Sequence, residues 1–183
     1  MSLRHDPHAF TPAPAPEAQA HETHAHETQA HETHAFAPPG ELPAAPLELR
    51  GRAVVPGTAE GEALVSQETI SGWGGIDPAR GVIIERRHPL YEQSFAGKVL
   101  VFPGAKGSSG WAGFFQSTRL LGTAPLAMIF VTVTTKAALG AVVTRVPTVT
   151  GLDRDPLTVI RTGDRVHVDA DRGVISVYPA HPQ

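Results

Sequence analysis

The run Val99-Leu100-Val101-Phe102 contains no polar residue and stops abruptly at Pro103-Gly104. A strand without polar alternation is buried on both faces. A loop of small residues follows, Ala105-Lys106-Gly107-Ser108-Ser109-Gly110, with one lysine and two adjacent serines. Beyond it, Trp111, Phe114, Phe115, Thr118 and Leu121 recur at helical spacing. Strand 98–102, loop and helix thus form one unit, and such units build α/β domains. A helix start offers unpaired N–H groups and a partial positive charge, which suit an anion.

The flanking chain continues the pattern. Leu47, Leu49 and Val54-Val55 predict a first strand ending at Pro56-Gly57, and residues 61–66 a second. Ser71-Gly72-Trp73-Gly74-Gly75-Ile76-Asp77-Pro78 reads as a glycine-rich loop. Gly81-Val82-Ile83-Ile84 fits a short buried strand, and 126–133 is a second β-rich apolar run. The helix after the serine loop should end near Gly122, with Pro125 just beyond. Residues 136–143 predict a short helix capped by Thr134 or Thr135, 146–149 a strand, and Asp155-Pro156 a helix start. Segments 164–169 and 173–177 alternate on either side of Ala170-Asp171-Arg172 and predict a hairpin. The expected fold is α/β, with a mixed sheet and a C-terminal β-hairpin.

Residues 1–46 differ in kind. Pro12, Pro14 and Pro16 alternate with alanine, and a His-Glu-Thr repeat then starts at His21, His26 and His31. Large apolar residues are too few to offset chain entropy, so this segment is expected to be a disordered tail ahead of a domain spanning 47–183. The tail holds seven of the ten histidines, which raises weak metal binding. Their five-residue period does not align them on one helix face, and a solvated arm is the simpler reading.

The chain has no cysteine, so it can form neither a disulfide nor a cysteine-ligated zinc or iron–sulfur site by itself. A formal charge of -3 argues against nucleic-acid binding. No apolar run approaches the roughly 20 residues that span a bilayer, and the first residues lack a secretory core. A soluble, cytoplasmic protein is expected.

Gly104-Ala105-Lys106-Gly107-Ser108 is not a phosphate-binding P-loop, because Gly107 separates the lysine from the serine. Ser108 is the candidate for chemistry. His88, His167 and His181 lack the context of a hydrolase triad. His88 before Pro89 reads as a surface turn residue, and Trp73 as either core or pocket lining. Asp169, Asp171 and Arg172 read as a solvated hairpin tip. The loop also admits a plainer reading, a tight turn with a serine N-cap.

Several segments occur in the order found in one family. They are Gly51-Arg52-Ala53, Gly57-Thr58-Ala59-Glu60-Gly61, residues 71–78, Arg87-His88-Pro89-Leu90, residues 97–109, Gly122-Thr123-Ala124-Pro125, Ala138-Leu139-Gly140-Ala141 and residues 162–173. Together they resemble the small subunit of the aconitase X dehydratases over 47–178. The resemblance implies the swivelling β/β/α domain of aconitase. It also implies a hydro-lyase active only with a large aconitase X subunit, which holds the iron–sulfur cluster on its cysteines. Two activities are known in the family, dehydration of cis-3-hydroxy-L-proline to a pyrroline-2-carboxylate and dehydration of mevalonate 5-phosphate. Each removes a proton beside a carboxylate and expels a hydroxyl from the neighbouring carbon. By resemblance Ser108 is the proton acceptor, with Lys106, Gly107, Ser109, Ser71, Gly74 and Gly75 binding substrate and no metal ligand in this chain.

One departure bears on the substrate. Many relatives carry a second Gly-Ser step after the serine, whereas Gly110-Trp111-Ala112-Gly113 stands here. Trp111 is expected to narrow the pocket towards a small ring, which favours cis-3-hydroxy-L-proline over mevalonate 5-phosphate. Outside the lyase class, the chain could be a non-catalytic swivel or binding module. A phosphohistidine carrier would need an exposed histidine at a loop or helix start, and the loop 106–110 has none.

The tail generates a first prediction. A peptide of residues 1–46 titrated with nickel or zinc should show no saturable binding at micromolar metal, and saturation would make it a metal-binding arm.

Overall fold

The computed structural model describes residues 45–107 and 110–180. The expected tail lies outside them up to residue 44, as do Ser108, Ser109 and His181.

Two strands, β1 (Leu47–Arg50) and β2 (Arg52–Val55), replace the single first strand expected. The break is Gly51, where a Cβ would lie 2.7 Å from the Thr150 carbonyl oxygen and 2.9 Å from a Leu152 methyl. Next come β3 (Thr58–Val65), β4 (Ile70–Ser71), β5 (Ile76–Asp77) and β6 (Val82–Ile83). The central portion holds β7 (Val99–Phe102), β8 (Ala105–Lys106), α1 (Trp111–Leu120), β9 (Ala127–Phe130), α2 (Thr135–Thr144) and β10 (Thr148–Thr150). A one-turn helix, α3 (Pro156–Val159), precedes the predicted hairpin of β11 (Arg165–Asp169) and β12 (Val174–Tyr178). Among the described residues, no helix is long and apolar enough to cross a membrane.

Eight strands form one sheet in the order β1-β12-β11-β3-β7-β9-β10-β2. Neighbours from β3 to β10 are parallel, and the remaining pairs are antiparallel. The two outermost strands are consecutive in the chain, with only Gly51 between them. The sheet therefore curls until its ends meet, which makes two facing β layers. Between them pack Leu49, Val99, Val101, Ile129, Val168 and Ile175. On the other face of the parallel layer, Leu100, Phe102, Met128 and Phe130 pack with Trp111 and Phe115 of α1 and Ala137 and Ala141 of α2. The layering is β/β/α. Strand β7 sends alternate residues into two cores, which is why its sequence has no polar position.

The helix ends follow local chemistry. Thr134 caps α2 by accepting from the Ala137 N–H, and Asp155 caps α3 by accepting from the Leu157 N–H. Gly122, at φ 74°, ends α1 as predicted. The cap of α1 is Gly110, which has no side chain to cap with; the serines of the plainer N-cap reading, Ser108 and Ser109, lie outside the described residues. Arg145 ends α2 in the left-handed region at φ 57° without glycine.

Trp111 is a core residue and not a pocket wall. It is 1% exposed, its indole stacks on Phe115 at 4.0 Å, and its Nε1 donates to the Ile70 carbonyl at 2.9 Å. The rings sit on α2 at Gly140, where a Cβ would lie 2.1 Å from the indole. Alanine normally stabilises a helix interior by about 1 kcal/mol over glycine, but overpacking costs about 1–3 kcal/mol. Gly140→Ala should therefore lower stability, by about 1–2 kcal/mol in urea unfolding. A stabilised variant would show that the helices separate freely.

Candidate active site

The loops after β3, β7 and β9 leave the same edge of the parallel layer, the edge at which open α/β sheets bind ligands. Gly104, at φ 150°, turns the chain there. A Cβ on it would lie 2.8 Å from the Thr132 carbonyl oxygen. The loop then pairs sideways. β8 lies parallel to β4, with Ala105 opposite Ile70 and Lys106 opposite Ser71. Sequence patterning does not reveal this contact, because each strand has only two residues and neither shows a period.

The pairing brings five of the expected site residues together. Gly107 lies against the Ser71 side chain, and a Cβ on it would be 3.2 Å from the hydroxyl oxygen. The Ser71 hydroxyl donates to the Trp73 carbonyl at 3.1 Å. Gly75 backs onto Ser71, with no room for a side chain, since a Cβ would lie 2.1 Å from the Ser71 carbonyl oxygen. Gly74 occupies the turn at φ 66° with nothing packed on it. Lys106 completes the group. Ser108 and Ser109, next in the loop, lie outside the described residues.

Two charged residues that the sequence did not single out also meet the loop. The Lys106 ammonium pairs with Glu85 at 2.6 Å, and the second oxygen of Glu85 is buried without a hydrogen-bond partner among the described residues. Lys136, in the first turn of α2, donates to the Gly107 carbonyl. A lysine in a helix's first turn opposes the helix dipole. That misplacement was the available signal for Lys136. Glu85 offered none, because it reaches Lys106 only through the folded chain.

His88 secures the segment that presents Glu85. It is 3% exposed rather than on the surface. Its Nδ1 accepts from the Leu90 N–H at 3.1 Å, and its Nε2 lies 3.2 Å from the Ser66 hydroxyl. That hydroxyl already donates to the Glu68 carbonyl at 2.7 Å, so it accepts from Nε2–H. The neutral ring thus ties the turn at 85–90 to the end of β3. His167 lies on β11 opposite Glu60, towards the start of β3 and so away from this edge. Asp171 is not merely solvated, because its carboxylate accepts from the Gly57 N–H at 2.9 Å.

The family description "Aconitase X swivel domain" matches residues 48–177. This chain belongs to the aconitase X swivel family. It is 38% identical over 131 residues to the phosphomevalonate dehydratase small subunit of Methanocella arvoryzae, covering 72% of this chain and 99% of that protein. It is 39% identical over 131 residues to the protein of that name from Thermococcus gammatolerans, covering 72% and 98%. The crystal structure of Thermococcus kodakaraensis aconitase X in its holo-form matches with a TM-score of 0.69 at 37% identity, covering 73% of this chain and 99% of that one. A solution structure of a UPF0107 protein matches at 0.67 and 39% identity, covering 73% and 100%. The aconitase X swivel fold is thereby shown for the β/β/α domain. The chain is a small subunit of the aconitase X dehydratase type.

In this family member the Lys106–Glu85 pair is partly exposed, with side chains 41% and 28% accessible. Such pairs add only about 0–1 kcal/mol to stability. Lys106→Met should shift the urea unfolding free energy by less than about 1 kcal/mol. His88→Ala, which strands buried partners, should cost about 2–4 kcal/mol. Equal losses in the two variants would make the lysine structural.

Proposed function

We propose that this chain is the small subunit of a phosphomevalonate dehydratase, active only with a large subunit. Ser108 accepts the proton from mevalonate 5-phosphate. The observation that carries the reading is the match to relatives of that name along almost their whole length. The preference for cis-3-hydroxy-L-proline rested on Trp111 narrowing the pocket. With Trp111 packed between α1 and α2, that reason is gone.

The chain's own donors do not fit an iron–sulfur cluster. It has no cysteine, and the described residues hold no group of three or more His, Asp or Glu able to take a metal ion. In the proposal the cluster belongs to the large subunit, and departure of the hydroxyl falls to groups outside this chain.

What this chain supplies is a base. A serine hydroxyl is a poor one unless its alkoxide is stabilised, and each pKa unit corresponds to about 1.4 kcal/mol. A helix N-terminus typically gives roughly 0.3–1 kcal/mol and at best about 2, or about one unit. The rest requires a cation in a dry site. Lys106 has its charge answered by Glu85. Lys136 bonds the carbonyl of Gly107, the residue before Ser108, and is the cation this chain offers in the proposal. Ser71 and Gly107 meet next to this carbonyl, and Gly75 backs Ser71. Ser109 remains a substrate contact by resemblance alone.

Co-expression with the large subunit tests the reading. The complex should dehydrate mevalonate 5-phosphate and leave cis-3-hydroxy-L-proline unchanged. Ser108→Ala should reduce turnover by at least about 10²–10⁴-fold without altering co-elution of the two chains. Near-normal turnover in that variant removes the base assignment, and turnover of the proline ring alone overturns the substrate.

A further inference from the structure

The polar group at the loop edge has an apolar surround. Trp73 is 76% exposed, its ring edge-on to Phe114 at 5.7 Å. Ile84, Val131 and Val133 are exposed as well. The backbone ties this surround to the site. The Trp73 carbonyl accepts the Ser71 hydroxyl, and the Ile84 N–H donates to the Gly75 carbonyl at 2.8 Å. The N–H groups of Val131 and Thr132 donate to the Phe102 and Pro103 carbonyls at 3.3 and 3.0 Å. Tryptophan has a large, rigid apolar ring and is enriched among the residues that dominate binding at protein interfaces.

We propose that this rim, with Trp73 as its anchor, is the docking surface for the large subunit. The inference rests on the reading of the loop as half of a composite active site. The occupant follows from what the centre of the rim lacks. The chain contains no cysteine, and no metal-holding group lies among the described residues. The partner must bring its groups within bonding reach of the loop, and it cannot do so without covering the rim. A second copy of this chain would bring none of them. An apolar surround also excludes water from the polar centre once closed, and the serine base needs that dry site. Leu120 is nearly as exposed, at 73%, but stands at the far end of α1. That is roughly 14 Å along the helix from Trp111.

The test uses the full chain labelled with 5-fluorotryptophan, whose two tryptophans give two fluorine resonances. Adding the unlabelled, cysteine-bearing large subunit should move the Trp73 resonance and leave that of buried Trp111 in place. Trp73→Ser should weaken assembly about 30-fold or more. Leu120→Ser should change it by no more than about twofold. Assembly with an unmoved Trp73 resonance, or with equal losses in both variants, overturns the docking surface and leaves the small-subunit reading standing. A wild-type chain that binds no large subunit overturns both. A shift that depends on this chain's own concentration, with no partner added, assigns the rim to a second copy and overturns the proposal.

Discussion

Strand β7 serves two cores at once. Val99 and Val101 fill the space between the β layers, while Leu100 and Phe102 meet the helices. Four consecutive buried residues leave the strand no freedom to slip, since a shift of one residue would exchange the two sets. Its end is correspondingly fixed, and the loop from Gly104 leaves from a rigid point. A site of this kind needs such a mount, because groups on a mobile segment cannot hold a productive geometry. The glycines around it serve the same purpose. Gly75 lets backbone approach Ser71 more closely than any side chain would permit, and Gly107 turns at φ 90° beside the Ser71 hydroxyl.

Charge on the loop is shared differently from what composition suggests. A single lysine inside the loop invites the view that it alone attracts the anion. In the folded chain, Glu85 neutralises that lysine and a second one arrives from α2. The carboxylate of Glu85 takes one ammonium group and the carbonyl of Gly107 the other.

Much of the fold was legible in the sequence because it is written locally. The apolar runs of β7 and β9, the Thr134 and Asp155 caps, the Gly122 stop and the terminal hairpin all rest on neighbours a few residues apart. What escaped depends on distant meetings. Gly51 splits a strand because Thr150 and Leu152 crowd it, and no window around residue 51 contains them. Trp111 looks like a free aromatic at a helix start until Gly140 opens α2 to receive it. His88 precedes a proline, as surface turns do, yet Ser66 and Leu90 satisfy both ring nitrogens. For the site, the sequence singled out Lys106, Ser71 and the glycines that the fold brings to one edge. Glu85 and Lys136 reach that loop only through tertiary structure.

The meeting of the sheet's two ends at Gly51 has a consequence for how the molecule is made. β1 finds its partner in β12 and β2 in β10, both late in the chain. Neither N-terminal strand can pair until nearly everything has left the ribosome. Pairings this remote in sequence slow folding, and until closure the edges of β10 and β12 stand open to other chains. The interval before the ring shuts is thus the period in which a nascent chain is most exposed to misassembly.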